Sequence, residues 1–199
     1  MRVTVLTGLI SAAVFIIVKM VYFYTQPSGY DITSLVLINL FLLIIAIGVG
    51  LFLQKMRDTE ESTGLRDIKN GMTSGVPYAL VVGVFLYFYY EKIDPEFNQH
   101  KLAEQEYLID KQLNEPGGLE KIKKENPDFE VLSKEEIKDQ AMDGARGALS
   151  STSTMTLTLL GLILMSALNS IFITIIYRRV VFRRPKGPSP YDSPKKKSE

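Results

Sequence analysis

The sequence has no cysteine and a single histidine, His100. The first absence excludes disulfides, thiolate nucleophiles, iron–sulfur ligation and cysteine-based zinc sites together. The second leaves one imidazole in a strongly polar stretch, which reads as a solvated side chain rather than a metal ligand. Phosphate-binding glycine loops and metal-ligand spacings are missing as well. No catalytic residue, cofactor or metal ligand is therefore assigned, and the chain is expected not to be an enzyme. An intramembrane enzyme would need inward-facing carboxylates or histidines, and the only candidates, Glu91 and Asp94, read better as surface charge and helix cap.

Charge is also missing, but only locally. Across 199 residues, 46% are hydrophobic and the net charge is +1, values that a water-soluble protein could share. The apolar residues are nevertheless gathered into long runs and the charged ones into the gaps, which is the distribution a bilayer demands. A hydrocarbon core about 30 Å thick is crossed by about 20 helical residues. Four runs meet that length: 3–24, 33–53, 71–90 and 154–177. Lys19 is the one charge inside the first run, and Arg178 and Arg179 end the last. The first run is too long for a secretory signal core and ends in Tyr22-Phe23-Tyr24 rather than a small-residue cleavage site, so it reads as a retained span. The expected fold is all-α and polytopic, with four transmembrane helices.

Basic residues resist transfer across the membrane and so set orientation. Arg2, Lys55, Arg57, Arg66, Lys69, Arg178, Arg179, Arg183, Arg184 and Lys186 fall on one side; near the spans, Lys92, Lys101, Lys138 and Arg146 fall on the other. This places both termini in the cytoplasm. The aromatic residues Tyr22, Phe23, Tyr24, Tyr30 and Tyr87 to Tyr90 would form one belt at the outer boundary.

Residues 1–177 are read as one membrane domain that includes a polar extracytoplasmic insert, 91–150, followed by a basic, proline-rich cytoplasmic tail, 178–199. The insert carries nine basic and fifteen acidic residues, a net of −6 that leaves +7 on the remainder. Asp94-Pro95 offers a helix start, with the helix running to about Asn114 before Glu115-Pro116-Gly117-Gly118 breaks it. Ser133 with Glu136 is a capping box opening a second helix, and Asn126-Pro127-Asp128 between them is a turn. The apolar residues are too sparse for an independent core. Helices lying on the outer membrane surface or on a partner are expected, with a semi-ordered acidic loop as the alternative.

In lipid, helices associate by close backbone approach, so small residues at four-residue spacing mark contact faces. Gly71, Gly75, Ala79 and Gly83 are in that register on the third span, with Ser166 and Ser170 on the fourth and Gly8 and Ala12 on the first as weaker counterparts. The preferred reading is internal packing; the alternative is a dimerisation seam. Pro77 should kink the third span or mark its true start, making 65–71 an interfacial lead-in. Three polar residues reach membrane depth: Lys19, Asn39 and Asn169. Lys19 and Asn39 lie about 7.5 and 9 Å from the outer end, which permits a hydrogen bond between them; the safer expectation is that Lys19 reaches outward among the tyrosines and Asn39 finds a backbone carbonyl. Asn169 lies about 22 Å from that side, beyond their reach.

Prolines and like charges keep the tail from packing, and its basic groups, Arg178, Arg179, Arg183 and Arg184 foremost, are expected to face anionic lipid headgroups rather than nucleic acid.

The stretches Leu65-Arg66-Asp67-Ile68-Lys69-Asn70-Gly71-Met72, Tyr89-Tyr90-Glu91-Lys92-Ile93-Asp94-Pro95-Glu96-Phe97 and Leu132-Ser133-Lys134-Glu135-Glu136-Ile137 resemble a bacterial inner-membrane family known as domain-of-unknown-function family 4199. The likeness covers most of the chain to about Arg184. It implies a four-helix membrane fold and a bacterial inner-membrane location, and it adds no catalytic residue. The expected role is an accessory or scaffold subunit of an envelope complex, binding a membrane-protein partner or further copies of itself. The alternative, an oligomeric small-solute transporter or channel, would call for broken spans or charges at the midplane.

Overall fold

A computed structural model describes residues 2–25, 32–58 and 63–181. Among them seven α-helices follow in order: α1 (Val3–Thr25), α2 (Ile32–Arg57), α3 (Gly64–Phe88), α4 (Pro95–Asn114), α5 (Gly118–Glu125), α6 (Lys134–Ala148) and α7 (Ser151–Ile176). Turns of π-helix, Tyr89–Ile93 and Tyr177–Val181, extend α3 and α7, and a 3-10 turn covers Pro127–Phe129. No strand occurs among the described residues. The stretches Val3–Thr25, Thr33–Arg57, Gly64–Ile93 and Ser151–Val181 are long and apolar enough to cross a membrane. The fold is therefore all-α, a four-helix membrane bundle with a helical polar segment between its third and fourth spans.

Three of the four spans outrun the sequence expectation. α2 continues to Arg57 because Gln54 and Lys55 favour helix as well as the apolar residues before them. α3 starts at Gly64, not Gly71: the Thr63 hydroxyl accepts the Arg66 backbone N–H at 3.3 Å, and Asp67 adds a negative charge to the first turn. Pro77 consequently sits inside α3 and does not begin it. α7 starts at Ser151, capped by the Ser150 hydroxyl, which accepts from Ser153 N–H at 3.2 Å.

α3 lies at the centre, packed against α1, α2 and most extensively α7; α1 also packs on α2, and α2 on α7. The α3–α7 seam is antiparallel. A Cβ added to Gly75 would fall on Ser166 Oγ, one on Gly71 would come within 2.7 Å of Ser170 Oγ, and one on Gly83 within 3.2 Å of Leu159. Four residues back on α3 thus correspond to four forward on α7. Ala79, between them, is fully buried. Gly8 of α1 meets the Ser74 backbone, where a Cβ would collide with the carbonyl oxygen. The small residues thus bring backbones together within the chain, the approach that lipid-embedded helices use in place of hydrophobic burial.

Polar bonds reinforce this packing. Ser74 Oγ lies 2.7 Å from the Ala46 carbonyl, to which it donates, and 2.9 Å from Thr7 Oγ1, joining three helices at one point. Tyr78 OH shares its proton between the Asn39 carbonyl at 2.9 Å and Asn39 Oδ1 at 2.6 Å. Tyr177 OH donates to the Gly48 carbonyl at 2.8 Å.

The polar segment folds on itself. α4 and α6 pack together around buried Leu113, Ile137 and Met142, with Lys138 bridging Glu106 at 3.1 Å and Asp110 at 2.9 Å. Gly117, in the left-handed region at φ 79°, makes the break after α4, and α5 restarts at once. The capping box forms in full: Glu136 N–H donates to Ser133 Oγ at 3.2 Å, and Ser133 N–H to Glu136 Oε2 at 2.7 Å. These helices take their main contacts from one another, the π-turn and the start of α7.

Candidate functional site

Two clusters of charge, one at each end of the bundle, hold its buried lysine and aspartate. The first centres on Lys19, only 3% exposed. Its Nζ lies 4.2 Å from the centre of the Tyr89 ring and 5.0 Å from that of Tyr90, and donates to Tyr90 OH at 3.2 Å. The two rings stand at 89° to each other, forming a corner around the ammonium. Tyr89 in turn donates to Asp94 Oδ2 at 3.2 Å. The π-turn makes this possible: Asp94 N–H bonds to the Tyr89 carbonyl at 2.8 Å, five residues back, so that an acid returns beside the tyrosines.

The second cluster centres on Asp67, 1% exposed. Its Oδ2 accepts from Lys55 Nζ at 2.9 Å and from Arg178 Nε at 3.1 Å. One aspartate of α3 thereby ties the end of α2 to the π-turn after α7.

Lys19 lies among tyrosines as expected, but buried against the end of α3 rather than reaching outward. The hydrogen bond to Asn39 that the depths permit does not form, and Asn39 meets the Tyr78 hydroxyl. One expectation needs correction here. Asp94 does not cap α4 with its side chain, because its carboxylate turns back to Tyr89 while Pro95 alone supplies the helix start. Tyr89 is fully buried and meets Phe23 edge-on at 6.0 Å, so it is a packing residue, unlike the exposed Tyr24 and Phe88. Asn169 joins neither cluster, and its Nδ2 has no partner. His100 is exposed on α4. Arg178 is engaged with Asp67, Arg179 is exposed, and Arg183, Arg184 and Tyr30 lie outside the described residues.

The sequence reading missed Asp67 as a site because it started the span at Gly71. The signal was present: Asp67 stands one four-residue step before Gly71, and Arg178 two such steps beyond Ser170, so the ion pair ends the same seam. In both clusters charged side chains join different helices, with Lys19 and Asp67 buried and the Arg178 side chain 44% exposed. Among the described residues no group of three or more histidines and carboxylates gathers to hold a metal ion.

The family described as Protein of unknown function (DUF4199) matches residues 3–179. The chain belongs to that family. The DUF4199 match takes in all four spans, the polar segment and both charge clusters, and it stops at Arg179, leaving the proline-rich tail outside. No curated protein and no solved structure matches the chain.

Proposed function

We propose that this membrane protein is a non-enzymatic accessory or scaffold subunit of an envelope complex in a bacterial inner membrane. The observation that carries the reading is the engagement of Lys19 and Asp67, each bound by side chains of other helices. Intramembrane charge in transporters faces a cavity or path; here it fastens helices, as a structural subunit requires. The α4–α6 segment adds a folded polar projection on which Val131 is 90% exposed, a surface for a partner. In this reading the Asp67 end, rich in arginine and lysine, faces the cytoplasm with both termini, and the acidic segment stands on the opposite side.

One observation favours an oligomeric transporter or channel instead: Ser166 Oγ, Asn169 Nδ2 and Thr174 Oγ1, all on α7, lack hydrogen-bond partners. Purification of the full chain from its native host in mild detergent, with mass spectrometry of co-eluting proteins, separates the readings. A partner in fixed stoichiometry supports the subunit role. A homogeneous homo-oligomer that passes solute in liposomes overturns it.

A further inference from the structure

The clamp on Asp67 fixes the depth and facing of three helix segments, and that decides where the neighbouring cations point. Lys55 and Asp67 turn inward to each other, and Arg178, its side chain still 44% exposed, reaches Asp67 through Nε. On a helix, a residue two positions away is rotated by about 200° and displaced by only about 3 Å along the axis. Arg57, two residues past Lys55, and Lys69, two past Asp67, are therefore directed outward at the clamp's level, and Arg179, next to Arg178 in the π-turn, is turned away by roughly a quarter turn. All three are exposed, and none takes part in an ion pair among the described residues. The nearby Asp58 is engaged by Gln54 at 2.9 Å and faces Arg66 at 3.9 Å. Large apolar side chains share this level: Met56, Leu65 (78% exposed) and Val180 (72% exposed).

We propose that Arg57, Lys69 and Arg179 form a collar that binds the headgroups of anionic phospholipids, with Met56, Leu65 and Val180 against the acyl chains beside them. Cations and apolar groups interleaved at one depth fit the boundary where lipid phosphates meet hydrocarbon, and each basic residue there attracts anionic lipid. The collar redistributes the basic residues of this end. Arg178 holds the fold, and the three outward cations hold lipid. The inference rests on the membrane-spanning fold and is independent of the subunit role.

The test reconstitutes the full chain into nanodiscs of equimolar phosphatidylcholine and phosphatidylglycerol and counts the lipids retained by native mass spectrometry. The wild-type chain should retain phosphatidylglycerol preferentially, and the triple variant Arg57→Gln, Lys69→Gln, Arg179→Gln should lose that preference by roughly tenfold or more. A control of equal charge change on the polar segment, Lys111→Gln, Lys121→Gln, Lys124→Gln, should keep it. The charge-preserving variant Arg57→Lys, Lys69→Arg, Arg179→Lys should keep it too, which separates loss of charge from loss of fold. Undiminished preference in the Gln collar variant overturns the proposal. So does an equal loss in the control, or complete loss on neutralising only Arg183, Arg184 and Lys186 of the tail.

Discussion

Gly75 lies so close to Ser166 that a Cβ on the glycine would occupy the position of the serine hydroxyl. Gly75→Ala should therefore separate α3 from α7 and lower stability by about 1–3 kcal/mol, the usual cost of overpacking. Gly161→Ala, where nothing lies within 4 Å, should be neutral or slightly stabilising. Unfolding in mixed micelles checks both. A Gly75 variant that alters oligomeric state while the monomer keeps its stability would assign the seam to dimerisation.

Removing Asp67 leaves Lys55 and Arg178 without their shared acceptor. Asp67→Ala is expected to cost about 3 kcal/mol, as breaking a buried pair does. Arg178→Ala, which leaves Lys55 in place on Asp67, should cost only about 1 kcal/mol. The same unfolding assay orders the two, and equal losses would mean that Lys55 does not share the load.

Lys19 couples α1 to the base of the polar segment through Tyr90 and the Tyr89–Asp94 bond. Lys19→Met preserves the apolar stem but removes the cation, losing about 2 kcal/mol at a desolvated aromatic site. Limited proteolysis should show earlier cleavage near Asp94 in this variant. With Asp94→Asn already present, Lys19→Met should have a smaller effect; strictly additive losses would separate the two residues energetically.

Acid should reach α6 late. Bonds from the backbone and side chain of Ser133 hold the Glu136 carboxyl below its ordinary 4.5, so the capping box is intact above that value and is lost as pH falls through the lowered one. Lys138 runs the other way: hydrogen bonds to Asp110 and then Glu106 raise it above 10.5, so its bridge holds at neutral pH and is lost as alkali passes the raised value. Circular dichroism of the full chain against pH reads both. An α6 signal lost above pH 4.5 would contradict the capping account.

The spans were legible because segregation of apolar from charged residues is a property of the sequence alone, and the capping box because Ser133 and Glu136 are near neighbours. The seam on α3 was legible for the same reason, since Gly71, Gly75, Ala79 and Gly83 repeat within one helix. Pairings between distant residues were not. Depth left a Lys19–Asn39 bond open beside the expected place of Lys19 among the tyrosines, and it could not say which tyrosines: Tyr78 of the central helix takes the asparagine, and the end of α3 brings Tyr89 and Tyr90 to the lysine. Which helix is central depends on three-dimensional packing, and nothing local in the sequence fixes it. Asp94 shows the same limit, since only the π-turn reveals that its carboxylate serves the bundle instead of α4.

The central claim is that the Asp67 end and the acidic segment stand on opposite sides of a membrane. The chain has no cysteine, so single substitutions at Lys111 and Lys196 give an unambiguous readout with a membrane-impermeant maleimide. The account predicts that intact cells label Lys111→Cys at once and Lys196→Cys only after the membrane is opened. Labelling of both from the same side would contradict it.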